Sequence, residues 1–261
     1  MIDKTKIAHS FSRAATTYDS VAYLQRYIGQ QLLDQMGHVL LDKKAIQRCV
    51  DLGCGTGFFQ DALQARFDSA QHIACDLAEG MLQYVQQQKK HVQLVCADAE
   101  VMPFKDNSVD LVFSNLALQW CENIDAVFAE SYRILDKGGY FCLTTLGPKT
   151  LYELKQSWAK VDQHEHVNHF KTYQAWLDAA KHQSFSVEVA QRKEEVLLFE
   201  SLKQLTQELK QLGAHNMNAG QAKSLTGRKR WQALQEAYQS FRDVDGYYPA
   251  TYDVYYLIVK K

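Results

Sequence analysis

The chain lacks the sequence features of metal-binding, exported and membrane-spanning proteins. Its six cysteines include no C-x-x-C pair, which disfavours a structural zinc site. It contains no run of about 18 apolar residues, the length that a membrane-spanning helix requires. The N-terminal segment MIDKTKIAHSFSRAATTYD has no apolar stretch of the kind that signal peptides carry. We therefore expect a cytoplasmic protein without a bound metal.

The chain also lacks an excess of charge of either sign. Its 29 Lys and Arg residues nearly balance its 30 Asp and Glu residues, for a formal net charge of -1. General attraction to nucleic acid or to a membrane is not expected, so a charged partner must bind at a local patch. The 261 residues and the hydrophobic fraction of 46% are typical of one α/β domain with an ordinary core.

Two groups of potential metal ligands are better explained as ordinary structure. We predict that the cysteines in or beside short apolar runs are buried small side chains in a reducing compartment. These are Cys49, Cys75, Cys96 and Cys142. Three histidines are spaced two and three residues apart, unlike the i, i+4 pair of a helical zinc site, and indicate a surface segment. They are His164, His166 and His169.

The hydrophobic pattern predicts three consecutive regions. Residues 1–45 have helical spacing and form an N-terminal segment that covers a site. Residues 46–146 alternate short apolar runs with amphipathic stretches, which is typical of βαβ units and a parallel sheet. Residues 147–261 contain lid helices and the last two strands, with a polar bend inside 185–199, a loop at 213–227 and a final strand at 252–259. The predicted core strands are 48–52, 71–75, 92–96, 109–113 and 140–146, with helices at 58–67, 79–88 and 124–135.

Three glycines follow the first predicted strand at alternate positions. Bare backbone at Gly53, Gly55 and Gly57 lets a ligand approach closely at the carboxyl edge of the sheet. NAD-dependent oxidoreductases use G-x-G-x-x-G here, but the third glycine of that pattern would fall on Phe58. Asp51 would repel a pyrophosphate and suits a ligand that carries an ammonium and a sulfonium group. An oxidoreductase is therefore the less favoured alternative.

Polar residues mark the ends of the next three predicted strands. Asp76 can accept hydrogen bonds from both hydroxyls of a ribose, and Asp98 can accept one from an adenine amino group. Asn115 lies at the end of the fourth strand. Because parallel strands end at the same edge of a sheet, these residues and the glycine loop are expected to form one crevice.

The chain resembles the class I S-adenosyl-L-methionine (SAM)-dependent methyltransferases in four features. These are D-L-G-C-G-T-G at 51–57, Asp76, A-D-A at 97–99 and F-S-N at 113–115. The resemblance covers residues 46–146. It implies a doubly wound, Rossmann-like sheet of seven mostly parallel strands with the last strand antiparallel, plus a helical lid. It also implies SAM as cofactor and S-adenosyl-L-homocysteine as product. The implied cofactor-binding residues are Asp51, Gly53, Cys54, Gly55, Gly57, Asp76, Leu77, Met81, Asp98, Ala99, Asn115 and Leu116.

A second resemblance extends over nearly the whole chain. Four segments are similar to the malonyl-[acyl-carrier protein] O-methyltransferases of biotin synthesis. They are F-S-R-A-A at 11–15, S-N-L-A-L-Q-W at 114–120, F-C-L-T-T-L at 141–146 and Y-P-A-T-Y at 248–252. This resemblance implies methyl transfer to the free carboxylate of malonyl-acyl carrier protein, which primes pimeloyl synthesis. A carboxylate has a reference pKa of about 4 and needs no general base at neutral pH.

Candidate residues beyond the cofactor follow from this hypothesis. We predict that Tyr18 lies in the site beyond the cofactor, in an N-terminal segment that folds over the cofactor and excludes water. Gln119 and Trp120 are expected to face the reacting methyl group. Acyl carrier proteins are acidic, so a basic docking face is expected. The densest basic cluster consists of Arg228, Lys229, Arg230 and the nearby Lys223. Residues 215 and 216, a histidine and an asparagine, are interpreted as solvated loop. The alternative is a methyltransferase of the same class that acts on a small acid, a quinone or a phenol and needs no carrier protein.

Overall fold

The computed structural model describes residues 3–40, 46–89, 92–213 and 227–261. The chain forms one sheet of seven strands, in which the apolar runs of the central strands are covered on both faces. The strands are β1 (Arg48–Leu52), β2 (Gln71–Asp76), β3 (Gln93–Cys96), β4 (Val109–Asn115), β5 (Leu135–Leu146), β6 (Ser186–Phe199) and β7 (Tyr248–Lys260).

The strand order is β3-β2-β1-β4-β5-β7-β6. β1 to β5 pair in parallel, and β7 lies antiparallel between β5 and β6. This arrangement confirms the predicted doubly wound α/β sheet with an antiparallel last strand. β1 pairs with β2 on one side and with β4 on the other, so the strand order reverses there. Ligands of open α/β sheets bind outside the carboxyl ends of the strands at such a point.

Helices cover both faces of the sheet, and alternate residues of a strand contribute to opposite sides. Phe113 packs into the apolar cluster beneath the third helix, whereas its neighbour Val112 packs into the cluster on the other face. No helix within the described residues is long and apolar enough to cross a membrane. The helices are α1 (Lys4–Ala14), α2 (Tyr18–Val21), α3 (Tyr23–Val39), α4 (Gln60–Arg66), α5 (Glu79–Gln88), α6 (Ile124–Ile134), α7 (Tyr152–Ala159), α8 (Tyr173–His182), α9 (Leu202–Gln211) and α10 (Arg228–Tyr238).

The predicted polar bend inside residues 185–199 is wrong, because β6 is one strand that pairs with β7 from Ser186 to Phe199, with a single register shift between Val187 and Val189. β6 is the edge strand of the sheet, so its polar side chains reach solvent without interrupting the pairing. One of them, Arg192, contacts the fully buried carboxylate of Asp253, with Nε 2.6 Å from Oδ1. Polar residues in this segment therefore belong to a strand rather than to a bend.

One further prediction differs from the structure. Cys49, Cys75 and Cys142 are buried as expected, but Cys96 is exposed because β3 is the other edge strand. The predicted lid helices that follow residue 147 include α7 and α8, which are joined by a non-helical connection at residues 160–172. That connection brings side chains to a cavity described below. The predicted loop 213–227 lies, apart from its end residues, outside the described part of the chain.

A glycine in α3 allows this helix to approach the segment that follows β1. A Cβ built at Gly29 would overlap the ring of Phe59, a buried residue at the start of α4. Alanine normally stabilises a helix by about 0.5–1 kcal/mol relative to glycine. We expect Gly29→Ala instead to lower the free energy of unfolding by about 1–3 kcal/mol, the usual effect of overpacking.

The matched control is Gly37→Ala in the same helix. A Cβ at Gly37 would lie 2.9 Å from Nη1 of Arg66, the end of a flexible side chain that can move away. This variant should be as stable as the wild type or slightly more so in urea unfolding. Equal stability of the two variants would show that the close contact between Gly29 and Phe59 is not needed.

Candidate active site

The glycine loop joins β1 to α4 and bends sharply against the end of β2. Gly53, Gly55 and Gly57 have φ angles of 73°, 54° and 74°, a region that glycine adopts without strain. The N–H groups of Gly53 and Cys54 both donate to the carbonyl oxygen of Cys75, at 2.7 and 3.1 Å. The loop is thereby fixed to the carboxyl end of the neighbouring strand.

Each glycine of the loop has a different neighbour. A Cβ at Gly53 would overlap the side chain of Ala117, and one at Gly57 would lie 3.0 Å from Cγ2 of Val85 in α5. A Cβ at Gly55 would meet no atom of the described residues within 4 Å. Gly55 therefore presents bare backbone to an open space, whereas Gly53 and Gly57 allow close packing.

Asp76 holds the loop from the end of β2. Its Oδ2 accepts a hydrogen bond from the N–H of Gly55 at 2.9 Å, and its Oδ1 accepts one from the N–H of Ala78 at 2.7 Å. Burial raises the pKa of the Asp76 carboxyl group, although these backbone N–H groups oppose the shift. Each carboxylate oxygen keeps a further lone pair that can accept from a ligand hydroxyl.

A cavity of about 100 Å³ lies between the loop, Asp76 and α1. Nine of the twelve predicted cofactor-binding residues line it: Gly53, Gly55, Asp76, Leu77, Met81, Asp98, Ala99, Asn115 and Leu116. The other three do not. Cys54 and Gly57 belong to the packed side of the loop, and Asp51 lies beneath it with an exposed fraction of 3%. We call this space the cofactor cavity.

Helix α1 closes the cofactor cavity through contacts that no local sequence pattern indicates. Lys4 forms ion pairs with Asp98 at 2.6 Å and with Glu100 at 2.9 Å. The helix is seated on α5, where the N–H of Gly80 donates to Oγ of Ser12 at 3.1 Å. Lys4, Ile7 and Phe11 of α1 line the cavity, and the sequence analysis did not identify them. Helical spacing predicted the helix, but the surface that it covers depends on long-range contacts.

Asn115 connects the end of β4 to both neighbouring layers. Its Nδ2 donates to the backbone carbonyl of Gln25 in α3 at 2.9 Å, and its Oδ1 accepts from Oγ1 of Thr144 in β5 at 2.7 Å. The next residue, Leu116, has a φ of 48°, which is uncommon for a residue with a side chain. This turn places Leu116 between the cofactor cavity and a second one.

The second cavity has a volume of about 490 Å³, within the range typical of small-molecule sites. It shares one wall with the cofactor cavity, formed by Phe11, Tyr18, Leu116 and Trp120. We call these four residues the shared wall. The rings of Phe11 and Trp120 meet edge to face with centroids 5.4 Å apart. Two of the predicted catalytic residues, Tyr18 and Trp120, thus lie between the two spaces.

The third predicted catalytic residue, Gln119, lines only the second cavity. Its Nε2 donates to the carbonyl oxygen of Leu116 at 2.6 Å, and its buried Oε1 has no hydrogen-bond partner among the described residues. Burial, reinforced by the carboxylates of Asp76 and Asp19, raises the pKa of the Tyr18 phenol well above its usual value. Tyr18 is therefore a neutral hydrogen-bond donor at physiological pH.

The predicted docking residues occupy different environments. Arg228 and Lys229 are exposed at the start of α10. Arg230 is half-buried, lines the second cavity and forms an ion pair with Asp162. It is therefore not part of a continuous exposed basic face. Lys223, like residues 215 and 216, lies outside the described residues.

The chemistry of the cofactor cavity fits SAM. Asp76 and Asp98 are hydrogen-bond acceptors for hydroxyl and amino groups, and Leu77, Met81 and Ala99 offer apolar contact for an aromatic base. Gly55 leaves room for a ligand against the backbone. Asp51 and Asp76 favour a cationic ligand rather than a pyrophosphate. In the described part of the chain, no group of three His, Cys, Asp or Glu side chains could hold a metal ion.

Comparison with known proteins agrees with this site. The Methyltransferase domain family matches residues 50–143. Among solved structures, an S-adenosylmethionine dependent methyltransferase from Mesorhizobium loti has a TM-score of 0.52 at 17% identity, covering 86% of this chain and 95% of that one. A candidate methyltransferase from Bacillus halodurans has a TM-score of 0.61 at 19% identity, covering 88% and 98% of the two chains. These likenesses show the fold.

Two curated relatives are more similar in sequence. The biotin biosynthesis bifunctional protein BioHC of Cellvibrio japonicus is 46% identical over 265 residues, covering 100% of this chain and 51% of that protein. This chain therefore spans about half the length of the bifunctional relatives that it matches. The malonyl-[acyl-carrier protein] O-methyltransferase of Laribacter hongkongensis is 38% identical, covering 97% of this chain and 88% of that protein.

The sheet order, the glycine loop and the acidic strand ends define a class I methyltransferase with SAM as its cofactor. Within that class, the chain belongs to the malonyl-[acyl-carrier protein] O-methyltransferase family.

We expect Asp51 to make cofactor binding dependent on pH. Burial raises its pKa to about 7, although a hydrogen bond from Nε2 of Gln60 at 2.8 Å opposes the shift and the charge of Asp76 adds to it. A cation in the adjacent cavity favours the ionised form. We expect the affinity for SAM to increase from about pH 6 to about pH 8, and Asp51→Asn to flatten this dependence. Calorimetric titrations at several pH values measure it.

The same shift predicts an opposite effect on the ligand-free protein. The folded state binds more protons than the unfolded state between about pH 4 and the folded pKa near 7, so stability falls as pH rises through this window. Asp51→Asn should remove that loss and melt at a higher temperature than the wild type near pH 8. The control is Asp68→Asn at an exposed position, which should leave both profiles unchanged. Parallel pH profiles for wild type and Asp51→Asn would contradict the assignment.

Proposed function

We propose that this protein transfers the methyl group of SAM to the free carboxylate of a malonyl thioester carried by acyl carrier protein. The observation that carries the proposal is the shared wall, where a cofactor cavity and a larger second cavity meet. The family assignment supports the substrate, since relatives that this chain covers almost completely are named for it.

The shared wall suits an acceptor that is already ionised. Its four side chains include no carboxylate and no histidine, so the wall offers no general base that could remove a proton from a phenol or a quinol. A malonyl carboxylate needs no such base. SAM supplies an electrophilic methyl group on a sulfonium centre. In the transfer, a carboxylate oxygen forms a bond to the methyl carbon, the carbon–sulfur bond breaks, and its electron pair stays on sulfur.

The residues of the wall contribute positioning and exclusion of water. Phe11, Leu116 and Trp120 are apolar surfaces that desolvate the attacking oxygen, which strengthens it as a nucleophile. The neutral phenol of Tyr18 donates a hydrogen bond to the other carboxylate oxygen and holds the reacting atoms in line. A single neutral donor orients the carboxylate without neutralising its charge.

Mass spectrometry of malonyl-acyl carrier protein after incubation with SAM tests this function. The expected result is a gain of one methyl group, which fragmentation of the product assigns to the malonyl unit. Acetyl-acyl carrier protein, which lacks the free carboxylate, should gain nothing. Methylation of both carrier proteins, or of neither by a folded protein that binds SAM, would rule out the proposed acceptor.

The exposed cations at the start of α10 lead to a prediction about docking. Arg228→Glu combined with Lys229→Glu should raise KM for the acidic carrier protein about 10-fold or more, because like charges at an interface repel. Turnover of a small malonyl thioester should be nearly unaffected. The control is Lys181→Glu, at an exposed position of α8. Helix α8 packs on the face of the sheet opposite to α10. Equal losses on carrier-linked and small substrates would refute docking at this surface.

A further inference from the structure

The second cavity is larger than the malonyl group that the proposed reaction places at the shared wall. Beyond that wall it is lined by apolar side chains of the chain segment 146–170 and of α9, among them Leu154, Trp158 and Leu209. Its lining also includes two exposed residues, Lys210 and Glu165, which mark where it meets solvent. The cavity thus extends from the reacting centre to the surface.

A cation is held in the wall of this cavity, outside the shared wall. Arg230 lines the second cavity but not the cofactor cavity. One of its terminal nitrogens contacts Oδ2 of Asp162, and Oδ1 of Asp162 lies 2.9 Å from Nε2 of His166. The His166 ring in turn stacks on Trp158, with centroids 3.7 Å apart and planes inclined by 10°. Asp162 and its partners therefore fix the orientation of the guanidinium group.

The carboxylate of Asp162 is ionised throughout the physiological range. Burial alone would raise its pKa, but the hydrogen bonds from Arg230, the N–H of His164 and His166 lower it to about 2. A guanidinium group has five N–H donors, and the contact with Asp162 engages one of its nitrogens. The remaining donors form a fork that matches two oxygens of a phosphate.

The carrier-linked substrate contains an anionic group that the remaining N–H donors of Arg230 can bind. Acyl carrier proteins hold their thioester on a phosphopantetheine arm, which ends in a phosphodiester on the side of the carrier. The malonyl carboxylate must lie at the shared wall, and a tight guanidinium contact would reduce its nucleophilicity. The anion that reaches Arg230 is therefore at the other end of the arm.

We infer that the second cavity holds the phosphopantetheine arm, and that Arg230, together with Lys210, binds its phosphate group. This inference rests on the proposed function for the identity of the arm. Asp162 is a positioning residue, because it orients Arg230 and has no required contact with the ligand. Arg230 then has a different role from Arg228 and Lys229, whose exposed side chains are proposed to contact the carrier protein itself.

Binding measurements test the inference without relying on turnover. The full-length protein is saturated with S-adenosyl-L-homocysteine and titrated with 4′-phosphopantetheine and with pantetheine, two ligands that differ only in the phosphate. The wild type should bind the phosphorylated arm about 10-fold more tightly or better, as expected for a charge-assisted bidentate contact. Arg230→Gln should abolish this preference by weakening the phosphorylated ligand, and Asp162→Asn should reduce it.

The matched control is Arg66→Gln on α4, which lines neither cavity and should keep the wild-type preference. Retention of the preference in Arg230→Gln, or absence of any preference in the wild type, would overturn the inference. An equal loss of affinity for both ligands in Arg230→Gln would also overturn it, because the arginine would then shape the cavity rather than bind phosphate. If the binding results hold but no malonyl thioester is methylated, the proposed function fails and the anion site remains.

Discussion

Replacing Asp76 with asparagine is expected to weaken the binding of S-adenosyl-L-homocysteine about 100-fold. The carboxylate lines the cofactor cavity and is oriented by the N–H groups of Gly55 and Ala78. Loss of a buried, charged acceptor for two ribose hydroxyls costs about 3 kcal/mol, which corresponds to that factor. An amide would also place N–H groups against one of the backbone donors. Calorimetry at fixed pH and salt measures the change in Kd.

A ligand analogue separates loss of the ribose contact from damage to the loop. The wild type should bind the 2′-deoxy analogue of S-adenosyl-L-homocysteine much more weakly than the parent compound. Asp76→Asn should bind the two compounds with nearly equal affinity, because the acceptor that distinguishes them is gone. If the variant still prefers the parent compound as strongly as the wild type does, Asp76 does not bind the ribose.

Replacing Tyr18 with phenylalanine is expected to reduce kcat/KM for the malonyl thioester about 10- to 100-fold. The phenol is half-buried on the shared wall and stays neutral, so it can act as a donor. Loss of one hydrogen bond to a charged group costs about 1.5–3 kcal/mol. Tyr18→Ala should lose more, since it also opens the wall to water. Steady-state kinetics with saturating SAM measure the effect.

A nearby tyrosine provides the control for this variant. Tyr23 begins α3 and is partly exposed, and its hydroxyl group donates a hydrogen bond to Oε2 of Glu208 at 3.1 Å. It lines neither of the two cavities. Tyr23→Phe should retain wild-type kinetics, and Tyr18→Phe should retain the wild-type melting temperature and Kd for S-adenosyl-L-homocysteine. Unchanged kinetics in both Tyr18 variants would remove this residue from the site.

The central strands could be predicted from the sequence because each is an apolar run covered on both faces. β1, β2 and β4 were expected within one or two residues of their observed bounds. Edge strands are different, since solvent on one side removes the constraint on composition. Cys96 in β3 and the polar residues of β6 were misjudged for this reason.

The residues of the site likewise fall into those that the sequence predicts and those that it does not. The glycine loop, Asp76 and Asn115 follow directly after strands, and the geometry of a parallel sheet brings strand ends together. Lys4 and Arg230 reach their cavities from helices far away in the chain, held by Asp98 and Asp162. Such ion pairs depend on how helices pack on the finished sheet, and no local spacing predicts them. The roles of the individual residues remain predictions.

Calorimetric titration of the ligand-free protein with S-adenosyl-L-homocysteine, followed by a parallel titration with NAD, tests the central claim most directly. The cavity at the carboxyl ends of β1 and β4 should bind one equivalent of the nucleoside, and NAD should produce no binding heat. A folded protein that binds NAD, or that takes up no S-adenosyl-L-homocysteine, would contradict the account.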